Sequence, residues 1–139
     1  MEKLWLIYQL MRAVESCHRE SIGHGDIKPE NVMVTSWNWV VLTDFAPYKP
    51  VFIPNDDPTD FHYFFDSMSR RRCSLAPERF VTRQKMSETS SDMEKMLLPS
   101  MDTFSLGCTI AEVGIFGLCS MRGWSCVCDK TAIGLCSLS

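Results

Sequence analysis

The run His24-Gly25-Asp26-Ile27-Lys28-Pro29-Glu30-Asn31 constrains this chain more than any other feature. Pro29 cannot extend a helix or donate to a central strand, and Gly23 and Gly25 permit tight backbone, so residues 21–31 read as a loop. What brackets the loop is regular. Upstream, Leu4, Ile7, Tyr8, Met11 and Val14 recur at three-and-four spacing, with Glu2, Lys3, Gln9, Arg12 and Glu15 at the other angles. That pattern predicts an amphipathic helix over about residues 2–19. Downstream, Val32-Met33-Val34-Thr35 and Val40-Val41-Leu42-Thr43 are β-branched runs separated by Ser36-Trp37-Asn38-Trp39. They predict a small hairpin with an Asn-containing turn. The second strand ends directly at Asp44.

The remainder is less periodic. From Phe45 to about Arg83 the chain carries Pro47, Pro50, Pro54 and Pro58 and no sustained pattern, which predicts a long ordered loop packed by aromatics. Its charges segregate: Asp56, Asp57, Asp60 and Asp66 precede Arg70, Arg71, Arg72, Arg79, Arg83 and Lys85. A solvated surface is the favoured reading of such runs over a docking patch. Residues 86–100 are polar and Ser-rich, as in an exposed insertion. Phe104, Leu106, Cys108, Ile110, Ala111 and Val113 then spread round more than one face, which predicts a buried helix over residues 101–113. No internal repeat is present.

The chemistry lies in the polar loop. An Asp with Lys two residues on and Asn five residues on supplies an orienting carboxylate, a cation near a moving phosphoryl group and a neutral oxygen ligand for Mg²⁺. Asp44, returned beside the loop by the hairpin, adds a second carboxylate suited to chelating that metal. Ala76-Pro77-Glu78 closes a segment of 35 residues counted from Asp44.

In this order and at these spacings the elements resemble the eukaryotic protein kinase fold, namely the first half of its C-terminal lobe. The fold class implied is α+β, a partial C-terminal lobe that is mostly helical with a small β-hairpin. The resemblance makes Asp26 the catalytic aspartate and Lys28 its serine/threonine-kinase companion. It makes Asn31 and Asp44 the Mg²⁺ ligands and the nucleotide-side residues, Glu78 the end of the activation segment, and Asp102 a structural brace of the catalytic loop. A narrower likeness rests on Thr35-Ser36-Trp37-Asn38-Trp39 between the strands, Thr43-Asp44-Phe45-Ala46, Asp57-Pro58-Thr59-Asp60-Phe61, and Arg70-Arg71-Arg72-Cys73 through Ala76-Pro77-Glu78-Arg79-Phe80. These are similar to the vacuolar protein sorting fifteen family, the kinase-like regulatory subunits of class III phosphatidylinositol 3-kinase. That likeness implies ATP and Mg²⁺ as cofactors. It implies the lipid kinase catalytic subunit and a Beclin-type subunit as partners, with peripheral association on endosomal and vacuolar membranes from the cytoplasm, in autophagy and sorting. A non-catalytic pseudokinase scaffold is the alternative.

Two departures bear on activity. Gly25 stands where most kinases have an Arg that reads a phosphorylated activation loop, and Ala46 replaces the glycine after Asp-Phe, where a Cβ restricts backbone flips. The 139 residues also hold no Gly-rich loop and no Val-Ala-Ile-Lys-type lysine, so the fragment alone is expected to be inactive. The expected domains are a kinase-like body over residues 1–113, without its N-terminal lobe, and a divergent tail over residues 114–139.

Composition limits the other classes. With 14 Lys plus Arg against 17 Asp plus Glu, the net charge of -3 gives no general electrostatic reason to bind nucleic acid. Of seven cysteines, Cys119, Cys126, Cys128 and Cys136 fall in the tail, without a C-x₂-C knuckle or a nearby His, which argues against zinc. Cys17, Cys73 and Cys108 read as small core residues. His18 reads as a surface or helix-dipole residue, His62 as one among aromatics and His24 as a loop brace; Trp5, Trp37 and Trp39 read as packing residues, the last two also as a partner-facing pair.

Overall fold

The computed structural model describes residues 2–65, 74–88 and 91–112. Helix α1 spans Glu2–Arg19 and buries Leu10 and Val14. It ends in a paired cap. The Ile22 amide donates to the Cys17 carbonyl at 2.9 Å and the Ser21 amide to that of His18 at 3.0 Å, with Ser21 in the left-handed region at φ 59°. This pairing satisfies two of the carbonyls that a helix end leaves open, and here a serine holds the position that glycine usually takes.

Strands β1 (Val32–Val34) and β2 (Val40–Leu42) pair antiparallel, with Val32 opposite Leu42 and Val34 opposite Val40. Asn38 turns the hairpin at φ 59°, a conformation that Asn tolerates, while the Trp39 amide donates to Thr35 Oγ1 at 3.1 Å. The hairpin is fastened to α1 by one side chain. Gln9 donates through Nε2 to the Asn38 carbonyl at 2.8 Å and accepts at Oε1 from the Val40 amide at 3.2 Å. Trp37 and Trp39 stay 83% and 60% exposed, so neither packs into this fold, and Trp5, half exposed, stacks on Tyr8. Of the two readings of the hairpin tryptophans, burial in this core is set aside.

Beyond Asp44 the expectation of an irregular loop is corrected. Strand β3 (Ile53–Pro54), helix α2 (Thr59–Phe64) and strand β4 (Phe80–Val81) are regular, with β3 and β4 parallel and Ile53 opposite Phe80. Elements of two to six residues are too short to show a period, and tertiary contacts hold them. Ile53 is fully buried, and the Asn55 amide extends the pairing to the Val81 carbonyl at 2.9 Å.

The polar insertion expected over residues 86–100 is also corrected. Helix α3 spans Arg83–Glu88, and α4 spans Ser91–Ala111, starting ten residues before the expected helix and running through Pro99. An internal proline costs a helix about 3 kcal/mol. Packing on both sides of it offsets that cost. Leu97, with Met86, packs against the cluster of Phe52, Ala76, Val81 and Met101, and Leu98 lies against Gly23 so closely that a Cβ there would meet Leu98 Cδ2 at 2.2 Å. Farther along α4, Ser105 and Thr109 are buried, their hydroxyls donating to the carbonyls of Met101 and Ser105. That route satisfies both buried hydroxyls.

The basic stretch is not uniformly a solvated surface. Arg83 does lie exposed against Asp56 and Asp57, but Arg79 is buried. Asp66, Arg70, Arg71, Arg72, Cys73, the boundary at residue 113 and the cysteine tail all lie outside the described residues.

Candidate active site

The site is built on one buried carboxylate. Asp102 on α4 accepts the His24 amide at 2.6 Å through Oδ2 and the Gly25 amide at 2.9 Å through Oδ1. His18, on the last turn of α1, places Nε2 3.2 Å from Asp102 Oδ2. His18 is therefore a half-buried partner of the brace rather than a surface residue. Burial pushes the neighbouring Cys17 thiol up, and the Asp102 charge pushes it further. Two backbone donors and one imidazole, from two elements, converge on a group that could not otherwise be buried as an anion.

His24 passes this order on. The Asp26 amide donates to His24 Nδ1 at 3.2 Å, and Nε2 lies 2.9 Å from the Thr43 carbonyl. A carbonyl only accepts, so the ring hydrogen sits on Nε2. The imidazole thus ties the loop to the strand leading to Asp44, with the Phe45 ring packed on it at 4.5 Å between centroids.

Asp26 and Asn31 are brought together. Asn31 donates through Nδ2 to the Asp26 carbonyl at 2.8 Å and, at 3.3 Å, to Asp26 Oδ2. The short 3₁₀ turn Pro29–Asn31 positions it, and the Thr43 amide and hydroxyl donate to its carbonyl. With Nδ2 committed to Asp26, Oδ1 is the atom left for a cation. Lys28 reaches Asp26 Oδ2 with Nζ at 2.7 Å.

Lys49 reaches the same oxygen, also at 2.7 Å, and sequence reasoning missed it. The only sign of it was a lysine isolated between Pro47 and Pro50 soon after Asp44. Burial alone would raise the Asp26 carboxyl, but the ammonium groups of Lys28 and Lys49 outweigh it and hold the group below the usual carboxylate range.

Asp44 stands apart from this buried set. It is exposed and adopts φ 58°, a left-handed conformation that Asp visits more readily than most residues. As donors, the Asn31 oxygen and the Asp44 carboxylate suit Mg²⁺, which takes hard oxygen ligands and completes its shell with water and phosphate oxygens. Among the described residues no cluster of three or more His, Cys, Asp or Glu could hold a metal by itself.

Arg79, also missed, enters from the far end of the segment. Its Nη1 donates to the Gly25 carbonyl at 2.8 Å. Gly25 sits at φ +82°, where a Cβ would lie 3.3 Å from the Ala46 carbonyl oxygen and 3.7 Å from Arg79 Nη2. Arg79 thus brings a guanidinium against the backbone of Gly25 from a distant part of the chain.

Residues 3–118 match the protein kinase domain family. The chain belongs to that family. Within this kinase family it is 53% identical over 117 residues to serine/threonine-protein kinase VPS15 of Arabidopsis thaliana, covering 84% of this chain and 8% of that protein. It is 48% identical over 112 residues to the vps15 kinase of Schizosaccharomyces pombe, covering 81% and 6%. To the VPS15 kinase of Saccharomyces cerevisiae it is 47% identical over 114 residues, covering 81% and 8%. A kinase of another kind, the cell division control protein 2 homolog 3 of Trypanosoma brucei brucei, is 33% identical over 108 residues, covering 78% and 29%. The likeness read from the hairpin tryptophans and the segment after Asp44 is thus that of a VPS15-family kinase-like chain. This kinase chain spans less than a tenth of the length of the VPS15 relatives named here.

Proposed function

We propose that the protein acts as a VPS15-type serine/threonine-kinase-like regulatory subunit of a class III phosphatidylinositol 3-kinase complex, transferring a phosphoryl group from ATP to a protein hydroxyl. The observation that carries this reading is Asn31, whose Nδ2 is committed to Asp26 while its Oδ1 is left for a cation. In this reading Asp26 orients the incoming hydroxyl and takes up its proton, and Lys28 lies beside the moving phosphoryl group. Asn31 and Asp44 would hold Mg²⁺, which when bound would neutralise charge on the ATP phosphates. Asp102 and His24 keep the loop in place.

The partners and setting belong to the same proposal. They are the lipid kinase catalytic subunit and a Beclin-type subunit, at endosomal and vacuolar membranes, in autophagy and sorting. The exposed pair Trp37 and Trp39 supports a partner-facing hairpin. Among the described residues no helix is long and apolar enough to cross a membrane. In this reading membrane association comes through the complex.

A second reading, a non-catalytic scaffold, is favoured by one observation: Asp26 already carries Lys49. Phosphoryl transfer from labelled ATP by the full-length protein, with and without Asp26→Asn, separates the two. Loss of about 10²-fold or more in rate is expected for Asp26→Asn if the residue works as a base. Equal rates for wild type and variant would leave the scaffold reading.

A further inference from the structure

Asp26 Oδ2 receives two ammonium groups of different origin. Lys28 lies two residues away in the same loop, whereas Lys49 comes from the segment that follows Asp44. Both members of the second pair are withdrawn from water, with 9% of the Lys49 side chain and 8% of the Asp26 side chain exposed. A lysine is expensive to bury unless its charge is matched and its stem packed. Three further contacts meet that need. The Lys49 amide closes a turn onto the Ala46 carbonyl at 3.1 Å, and the Ala46 amide bonds the His24 carbonyl at 3.0 Å, so the turn is fastened to the catalytic loop through its backbone. Lys49 Nζ lies 5.0 Å from the centre of the Phe65 ring. The Arg79 guanidinium lies at the same distance from that ring, and Arg79 is bonded to Gly25. Phe65 is therefore shared by two cations that both hold the segment against the loop.

The arrangement has a chemical consequence. A hydroxyl that is to be phosphorylated must come within about 2.6–3.2 Å of the carboxylate that takes its proton. A lysine ammonium offers donors and no acceptor, so it cannot relay that proton while it remains charged.

We propose that Lys49 is an autoinhibitory latch, which holds the Asp26 carboxylate through the turn at residues 46–49 and must withdraw before a substrate hydroxyl can engage it. The proposal rests on the reading of Asp26 as the catalytic base. Withdrawal need not disturb the loop itself, because Asp102, His24, Asn31 and Lys28 hold Asp26 without Lys49. The latch is thus separable from the site that it covers.

The test uses the full-length protein with Lys49→Met, which keeps the length and removes the charge, Lys49→Arg, which keeps the cation, and Asp26→Asn. Lys49→Met is expected to raise kcat for phosphoryl transfer at least about tenfold, with KM for ATP changed by less than about twofold. Lys49→Arg is expected to remain well below Lys49→Met, and Lys49→Met combined with Asp26→Asn to lose the gain. Hydrogen exchange supplies a readout that needs no turnover: the amides of Ala46, Tyr48 and Lys49 should exchange faster in both Lys49→Met and Asp26→Asn, with α1 unchanged. A wild type whose activity depends on Asp26, alongside a Lys49→Met variant that is no faster, overturns the latch alone. Unaltered exchange in both variants overturns it as well. Absence of transfer in every variant removes Asp26 as a working base and the inhibitory role with it.

Discussion

Arg79 and Gly25, 54 positions apart, are joined by a 2.8 Å hydrogen bond from the arginine Nη1 to the glycine carbonyl. The guanidinium is buried and its far side rests on Phe65. The arginine approaches from the far end of the segment that follows Asp44 and bonds the Asp26 loop directly.

Glycine is required at residue 25 for two reasons, the left-handed backbone and the 3.3 Å approach to the Ala46 carbonyl oxygen. Gly25→Ala is expected to destabilise the fold by about 1–3 kcal/mol, measured as a shift in the urea midpoint at constant slope. Gly25→Arg should be worse, since it adds a charge beside Arg79. A stability equal to wild type for Gly25→Ala would show that the loop relaxes to negative φ at little cost.

Asp102 should be the least replaceable polar residue described. In Asp102→Asn one of the two oxygen acceptors becomes an NH₂ donor facing a backbone N–H, leaving a buried donor unsatisfied. A loss of about 1–3 kcal/mol is expected by chemical denaturation. His18→Gln should cost less, about 1 kcal/mol or below, because His18 keeps 19% of its side chain exposed against 2% for Asp102 and adds one contact of 3.2 Å. The order of the two variants is the sharper check: a greater loss for His18→Gln contradicts the brace.

Acid should act through Asp26. Its carboxyl titrates lower in the folded chain than in the unfolded one, so its contribution to stability is complete above the unfolded value of about 3.9 and is lost as pH falls through the folded value. Exposed Asp57 moves in the same direction, held down chiefly by its bonds from Thr59 and then by Arg83. Melting temperature is expected to be nearly level above pH about 5 and to fall steeply below pH about 4, with Asp26→Asn flattening part of the fall. A rise in stability on acidification through that window would contradict the sign.

How far the sequence spoke for itself varied with the length of the signal. Helix α1 was legible because its apolar residues keep one period over enough positions to exclude the other, and the hairpin because two β-branched runs flank a turn that Asn38 marks. The group Asp26, Lys28, Asn31 was legible as one loop because its members lie within six residues. The segments between Asp44 and Met101 were not, since β3, α2 and β4 are each too short to establish a period, and Pro99 argues against the helix that it occupies. Lys49 and Arg79 escaped for a different reason. Nothing local distinguishes a lysine or arginine that will be buried from one that will be solvated; the distinction is made by Phe65 and Asp26, which only folding brings to them. His18 escaped in the same way, through Asp102.

The reach of Asp102 also sets a schedule. His24 and Asp102 are separated by 78 positions, so at a synthesis rate of about 5–20 residues per second the catalytic loop leaves the ribosome on the order of 4 to 16 s before its acceptor does. Throughout that interval α1 and the hairpin can form and be clamped by Gln9, while the amides of His24 and Gly25 have only water to bond. The loop that bears Asp26 is thus made well before the carboxylate that braces it. A nascent chain stalled before residue 102 would carry every atom of the Asp26, Lys28 and Asn31 group and still lack the carboxylate that gives the loop its shape.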